Sequence, residues 1–392
     1  MHSAAAISEH LDTRTAAIEV AGLLETAMAG PADLVFVFAS FHHRESLAEA
    51  VSDIRKTLEP KTIIGLTTES VVGCDLELEG VAGLSAIAMH LPRVTITPWI
   101  TSPKQPVPIS RPERIPNWIS LQKDTKAVLF FADPFSTPIT RLLPALVNCR
   151  GEDFPLPIIG GMASGASAAT YNRLILNDQG MRSGGIGLTI SGPIDFDCIV
   201  SQGCRPIGTP MRVTKVEGNV VLELGGQPAL KVIQDLASKI NQHEGALLSG
   251  GLLLGSVIDE HRDHFGRGDF LVRSILGIDR KRNGIAAGEF YRLGKTVQFH
   301  VRDAQTAVED LQLLLDAQQL DTPPFAGLLV TCNGRGRSLF HVDDHDLTII
   351  RNRLGEIPIA GFFAAGEIGP IGGRSFLHGH TACLSLFREK KQ

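Results

Sequence analysis

PIAGFFAAGEIGPIGGRSFLHGHTAC, residues Pro358–Cys383, is the stretch from which the rest of the chain is read. With Ile357 in front of it, the first part is an apolar run to Ala365, the pattern of a buried strand. It breaks into Gly366-Glu367-Ile368-Gly369-Pro370-Ile371-Gly372-Gly373. So much glycine and proline continues neither strand nor helix, and predicts a loop with unusual backbone angles. Glu367, Arg374, Ser375, His378, His380 and Thr381 follow in and after that loop, before a closing strand Ala382–Phe387. Polar side chains on a glycine-built loop at the end of a buried strand form the usual layout of an α/β pocket. The alternative is a tight surface turn, but a plain turn needs one or two glycines and little else.

The same pattern occurs twice more. Asp33–Ala39, Lys126–Ala132 and Phe325–Thr331 read as first strands, each followed by a loop and a helical segment. Thr62-Ile-Ile-Gly65, Leu156-Pro-Ile-Ile-Gly160 and Ile357-Pro-Ile-Ala-Gly361 read as second strands. Gly83–Leu91 and Gly184–Ile190 match the closing strand of the opening stretch. This predicts three strand–loop–helix–strand–loop–strand units, near 32–100, 126–200 and 325–390. Ser40, Asp133 and Cys332 fall at equivalent strand ends. A period this long indicates subdomains rather than a solenoid.

An amphipathic helix is expected near Thr13–Ala29, and a proline-rich connector at 102–117, which holds Pro103, Pro106, Pro108, Pro112 and Pro116. Ser136-Thr137-Pro138 reads as a helix start with a capping hydroxyl, and Asp343 or Asp344 as the cap of a helix ending near Leu354. Between the second and third units the texture is antiparallel: a hairpin about Glu217-Gly218-Asn219, a helix from Pro228, strands at Phe270–Ile278 and Gly288–Val301, and a helix capped by Asp303. The expectation is an α/β protein of two related domains, with mixed, mostly buried sheets flanked by helices. The first covers 1–205, with units 32–100 and 126–200. The second covers 206–392, with the antiparallel insertion at 210–303 and the unit 325–390.

The 392 residues are 43% hydrophobic and 20% charged, as in soluble globular proteins. A net charge of -5 without a Lys/Arg cluster argues against a nucleic-acid surface. Neither a bilayer-spanning run nor a basic-then-apolar leader is seen, so no membrane partner and a cytoplasmic location are expected. Six scattered cysteines without a CxxC pair suit reduced thiols.

Four motifs, Gly203-Cys-Arg-Pro-Ile-Gly208, Val301-Arg-Asp-Ala304, Cys332-Asn-Gly-Arg-Gly336 and Gly361-Phe-Phe-Ala-Ala-Gly-Glu-Ile-Gly-Pro370, together resemble the FIST family of F-box and intracellular signal transduction proteins. The resemblance covers nearly the whole chain, with N-terminal and C-terminal FIST regions near 30–205 and 210–385. It implies a sensory module that binds a small ligand such as an amino acid, usually joined to signalling domains. Here there is no room for a kinase, chemotaxis or F-box module, so a stand-alone sensor acting through a partner protein or a homo-oligomer is expected.

For that ligand the expected binding residues are Cys332, Asn333, Arg335, Gly336, Phe362, Glu367, Gly369, Arg374, His378, His380 and Thr381. Arg335 and Arg337 have the forked geometry to grip a carboxylate, or else pair with Asp343 or Asp344. Glu367 either holds an ammonium group or accepts from loop amides. His378 and His380, if extended, face one side. A metal would need a third ligand and no metal spacing is present, so none is expected, nor any cofactor. His42-His43 and His261–His264 read as solvated loop residues. Gly161–Ser167 lacks a phosphate-binding spacing. Two alternatives to a sensor stay open: an enzyme with Cys332 as nucleophile and His378 or His380 as base, and a protein-interaction adaptor. Cys332 is expected to be the most reactive thiol but not catalytic, since nothing singles out its base.

Overall fold

Each of the three second strands lies near the middle of its own six-stranded sheet, and the three sheets share one strand order. The first sheet runs from edge to edge as His2–Ser8, Leu84–His90, Leu34–Ser40, Thr62–Thr68, Leu174–Leu176 and Gln179–Met181. The second runs Thr95–Thr101, Gly185–Ser191, Thr125–Ala132, Ile158–Met162, Glu367–Ile371 and Arg374–His378. The third runs Ile194–Gln202, Thr381–Glu389, Ala326–Cys332, Ile359–Ala364, Val71–Gly73 and Leu76–Leu78. In each, the first strand of the unit is parallel to the second and antiparallel to the closing strand. Gly65 lies opposite Val37, Gly160 opposite Phe130 and Gly361 opposite Leu329. Three residues beyond these partners stand Ser40, Asp133 and Cys332.

The two-stranded ribbon at the far side of each sheet comes from a different unit. Ile175 pairs with Gly65, Ile368 with Gly160 and Val72 with Gly361. The loop of the opening stretch is therefore largely strand: Glu367–Ile371 and Arg374–His378 form a ribbon around Gly372-Gly373, both at positive φ. The inner faces meet in one core, where Phe38, Phe131 and Phe362, one from each sheet, lie 5.0 to 6.2 Å apart. Aromatic pairs at this spacing add about 0.5–1.5 kcal/mol beyond their area burial.

Helices cover the outer faces. Thr13–Ala27 starts at Asp12, whose carboxylate accepts from Thr15 N at 2.8 Å. With Leu47–Leu58 it packs Val20, Leu24, Val51 and Ile54 on the first sheet. Ile139–Val147 does the same for the second sheet through Leu142, Leu143 and Leu146. Two expected caps are not made. Ser136 donates to Asp133 and Thr137 to Gly184 O, so Pro138 stands at the N-cap without side-chain help. Asp344 occupies its N-cap but accepts from Glu77 N instead. His2–Ser8 is a strand that alternation did not predict, because its alanines carry little β propensity.

The computed structural model describes residues 1–390, which form two compact units: 1–200 with 312–377 and 381 onward, and 201–311 with 378–380. The second unit is antiparallel. Cys204–Glu217, Thr296–Arg302, Leu252–Val257, Phe270–Asp279, Gly284–Ala287 and Val220–Leu224 pair in that order, and the last pairs back to the first. The circuit is closed and surrounds Val213, Val221, Leu254, Ile285, Val297 and Phe299. The turn at Gly218-Asn219 is where the sequence placed it. Leu252–Val257, a strand not anticipated, supplies the centre of this sheet.

Gly160 and Gly361 are required by close backbone approach. A Cβ on Gly160 would lie 2.1 Å from Phe130 O, and one on Gly361 1.8 Å from Leu329 O. Gly160→Ala and Gly361→Ala are each expected to cost at least about 2 kcal/mol, because a carbonyl held in a sheet cannot step aside. At Gly65 the nearest atom is a Val51 methyl group at 2.6 Å, so Gly65→Ala should cost less. Urea denaturation of the three variants checks the ranking. Equal losses would show that the strands, not the carbonyls, absorb the added group.

Candidate functional site

The ribbon Arg374–His378 ends in a turn at Gly379-His380, and the closing strand begins at Thr381. His380 sits at φ 64, a left-handed angle that is uncommon away from glycine. Its carbonyl accepts from Gly203 N at 3.1 Å. Its ring Nε2 is 3.2 Å from Ser274 Oγ. Burial, and then the positive charges of Arg302 and Arg273, lower its pKa to about 4. The imidazole is therefore neutral at neutral pH, set among cationic groups.

Sheet geometry gathers the neighbours. Leu253 lies opposite both Ser274 and His300, so those two side chains share a face, and Arg302, two residues from His300, joins them. His300 is fully buried, 4.9 Å from the Phe270 ring, with Nδ1 3.0 Å from Gln298 O. Burial lowers its pKa to about 4 as well. Gln202 donates to Phe270 O at 2.9 Å. Arg273 lies 3.7 Å from Glu289 on a neighbouring segment. Among the described residues, His380 Nδ1, His300 Nε2, Ser201 Oγ and Gln202 Oε1 are buried without a hydrogen-bond partner. All of these belong to the second unit.

The other expected residues are placed in the first unit, apart from His378, which is buried and counted with the second. Glu367 is wholly buried and accepts from Thr381 N at 3.2 Å and Thr381 Oγ1 at 2.7 Å, so these two stand together. Arg335 is 1% exposed; its Nε donates to Asp346 Oδ2 at 2.6 Å and its Nη2 to Oδ1 at 3.2 Å. Its internal partner is thus Asp346, on the buried side of the helix His345–Leu354, while Arg337 pairs with Asp343. Burial raises and Arg335 lowers the pKa of Asp346, and the balance holds it at about 2. Burial and the Asp346 charge push Glu77 up to about 8. Asp346 therefore carries the charge and Glu77 the proton.

Asn333 N donates to Ala364 O at 3.1 Å, and Cys332 is half-buried at its strand end. Gly336, at φ 61, faces the Glu79 carboxylate. Phe362 lies in the aromatic core. A Cβ on Gly369 would lie 3.3 Å from both Cys198 Sγ and Cys383 Sγ. Arg374 donates to Asn148 Oδ1 at 2.5 Å and Glu152 O at 3.1 Å. His378 and His380 do not alternate on one extended strand, since His380 turns left-handed. His43 is a further correction: it is fully buried beside Thr13, not solvated. Among the described residues no three His, Cys, Asp or Glu side chains are grouped to hold a metal, and no helix is long and apolar enough to cross a membrane. The sequence reading missed Ser274, His300, Arg273 and Arg302 as site residues. Arg302 stood inside a quoted motif, whereas strand pairing alone reveals the other three.

Family models for the FIST N domain and the FIST C domain match residues 33–227 and 229–370. Uncharacterized protein Rv0628c of Mycobacterium tuberculosis is 37% identical over 97% of this chain and 98% of its own length. Uncharacterized protein Mb0898c of Mycobacterium bovis is 36% identical, covering 96% of each chain. Among solved structures, cyanuric acid hydrolase from A. caulinodans aligns over 99% of this chain and 100% of its own, at 8% identity and a TM-score of 0.34. That likeness is too distant to carry an argument about chemistry here.

The two depressed histidines give the fold a pH dependence of known sign. In the unfolded chain each binds a proton near 6.5, whereas in the fold uptake waits until about 4. Stability is thus full above pH 6.5 and falls as pH drops toward 4. Denaturation across that window should show the loss, and the double variant His300→Gln, His380→Gln should flatten it. Ring titration by NMR near 6.5 for either residue would remove it from this account.

Proposed function

The chain belongs to the FIST family, and on that premise we propose that it is a sensory module whose second unit binds a small carboxylate, such as an amino acid or organic acid. FIST domains are associated with sensors in signal transduction. The observation that carries the proposal is the setting of His380. A neutral imidazole and a serine hydroxyl stand among the charges of Arg302 and Arg273. Guanidinium groups match a carboxylate in bidentate geometry, and charge-assisted hydrogen bonds are the strong ones. The buried polar atoms of His380, His300, Ser201 and Gln202 would gain partners from a bound polar molecule. Each would otherwise cost about 1–3 kcal/mol. An anion there also reverses the electrostatics on His380, drawing its pKa upward and coupling ligand to proton uptake.

Arg335 and Glu367 lie in the first unit and are no part of this site. The first is engaged with Asp346 and the second with Thr381. Glu367 fixes the start of the closing strand. Output would pass to a partner protein or a second copy of the chain. An intracellular setting is favoured by the six cysteines, which are all free thiols.

Calorimetry against a panel of amino acids and organic acids tests this. Arg302→Ala is expected to weaken binding by about 10–100-fold, the equivalent of one charge-assisted hydrogen bond of about 1.5–3 kcal/mol. His380→Gln should abolish proton uptake on binding, measured by repeating the titration in buffers of different ionisation enthalpy. Binding that survives both variants unchanged would move the site away from His380.

A further inference from the structure

The proline-rich connector does more than join two strands. It forms one wall of a cleft of about 840 Å³ in the first unit. Val107, Ile109, Phe135, Pro138 and Leu142 line it, with Arg111 and Arg114 at its rim. Its opposite wall is the segment Phe135–Pro138 that follows the strand Thr125–Ala132, with Leu142 of the helix Ile139–Val147, where a pocket in a sheet of this kind is expected.

Three observations define what the cleft would take. First, the polar groups beside the helix start are already used. Ser136 Oγ is bonded to Asp133 and accepts from Gly184 N, and Thr137 Oγ1 donates to Gly184 O. That side of the cleft is thus apolar in effect. Secondly, Phe135 is 46% exposed although it is large and aromatic, which is a solvation cost that an apolar occupant would relieve. Thirdly, Arg111 and Arg114 are both exposed, and among the described residues neither forms an ion pair. They lie three residues apart about the single 3-10 turn Pro112–Arg114, and side chains at that spacing fall on one side of such a turn. The prolines fix the connector's backbone angles in advance, which lowers the entropy lost when a guest is clamped.

We propose that this cleft binds an amphipathic carboxylate, with its hydrocarbon or aromatic body against Phe135, Val107 and Leu142 and its anionic head between Arg111 and Arg114. The site is separate from that at His380, and neither residue set overlaps the other.

Decanoate titrated calorimetrically into the full chain is the direct probe, with decanol and decylammonium as controls. Decanoate is expected to bind saturably and at least about 10-fold more tightly than either control, one charge-assisted contact at the least. The double variant Arg111→Ser, Arg114→Ser alters only exposed side chains. It should lose that preference for decanoate while keeping the decanol affinity and the wild-type circular dichroism spectrum. Phe135→Ser should weaken decanoate and decanol alike. Absence of saturable decanoate binding, or equal affinities for decanoate and decanol, would overturn the proposal. So would a double variant that binds as the wild type does. Amino-acid binding at His380 should be indifferent to Arg111 and Arg114, so failure at one site is distinguishable from failure at the other.

Discussion

The exchange of ribbons between sheets is the constraint on which the first unit depends. None of its three sheets is complete from its own stretch of chain: Gly65, Gly160 and Gly361 each face a strand donated from elsewhere in sequence. Strand edges left unpaired are costly and prone to association. Here the donated ribbon pairs the free side of every second strand. It also forces the three sheets to fold together, since removing any one leaves another with a bare edge. The phenylalanines record the same dependence. Phe362 reaches the core through the room left at Gly161, whose Cβ position would lie 3.3 Å from its ring. Much of the sequence distance in the fold is spanned by these pairings, so slow, cooperative folding is the natural consequence.

Electrostatics are handled differently in the two units. In the first, a buried guanidinium is matched by one buried carboxylate, Arg335 with Asp346, and the nearby Glu77 takes a proton rather than add a second negative charge. Breaking such a pair strands a charge in low dielectric, which is why a loop so anchored serves as a support. In the second, positive charges stand near a histidine that has given up its own. One arrangement closes on itself, and the other sets a neutral ring among positive charges.

Legibility in the sequence followed the same division. The apolar second strands and the glycines at their centres were readable because burial on both faces leaves a continuous apolar run. Antiparallel pairing in the second unit was readable in outline from the turn at Gly218-Asn219, but its closure was not. Which ribbon completes which sheet was not readable, since Val71–Gly73 and Leu174–Leu176 are too short to show a period. Nor was the partner of Arg335, because Asp346 becomes buried only through the helix His345–Leu354 packing inward. His380 was singled out by its glycine-rich setting, but its neighbours lie 78 to 107 residues away in sequence, at Arg302 and Arg273. Contacts of that span are fixed by sheet register, and register is a property of the folded pairings.

The three equivalent strand ends show how one scaffold carries unlike chemistry. Ser40 accepts from Gly83 N at 3.0 Å and lies 3.2 Å from His42 Nδ1. Asp133 accepts from Ser136 and from Asn172 Nδ2. Cys332 opens the loop that Arg335 anchors. The backbone place is common, but the groups recruited around it differ, so the strands set position and the turns set which groups meet there. The closing turns differ in the same way: Gly83 and Gly184 precede two of the closing strands, and His380 precedes the third. At Gly184 a Cβ would lie 1.9 Å from Thr101 O, which excludes any side chain. Only at the third turn is there space for an imidazole, and the left-handed angle that glycine would adopt freely is kept there by a histidine. Such an angle costs a non-glycine residue of order 1–3 kcal/mol. Glycine would shed that cost; the histidine instead brings a buried ring that reaches Ser274 Oγ at 3.2 Å.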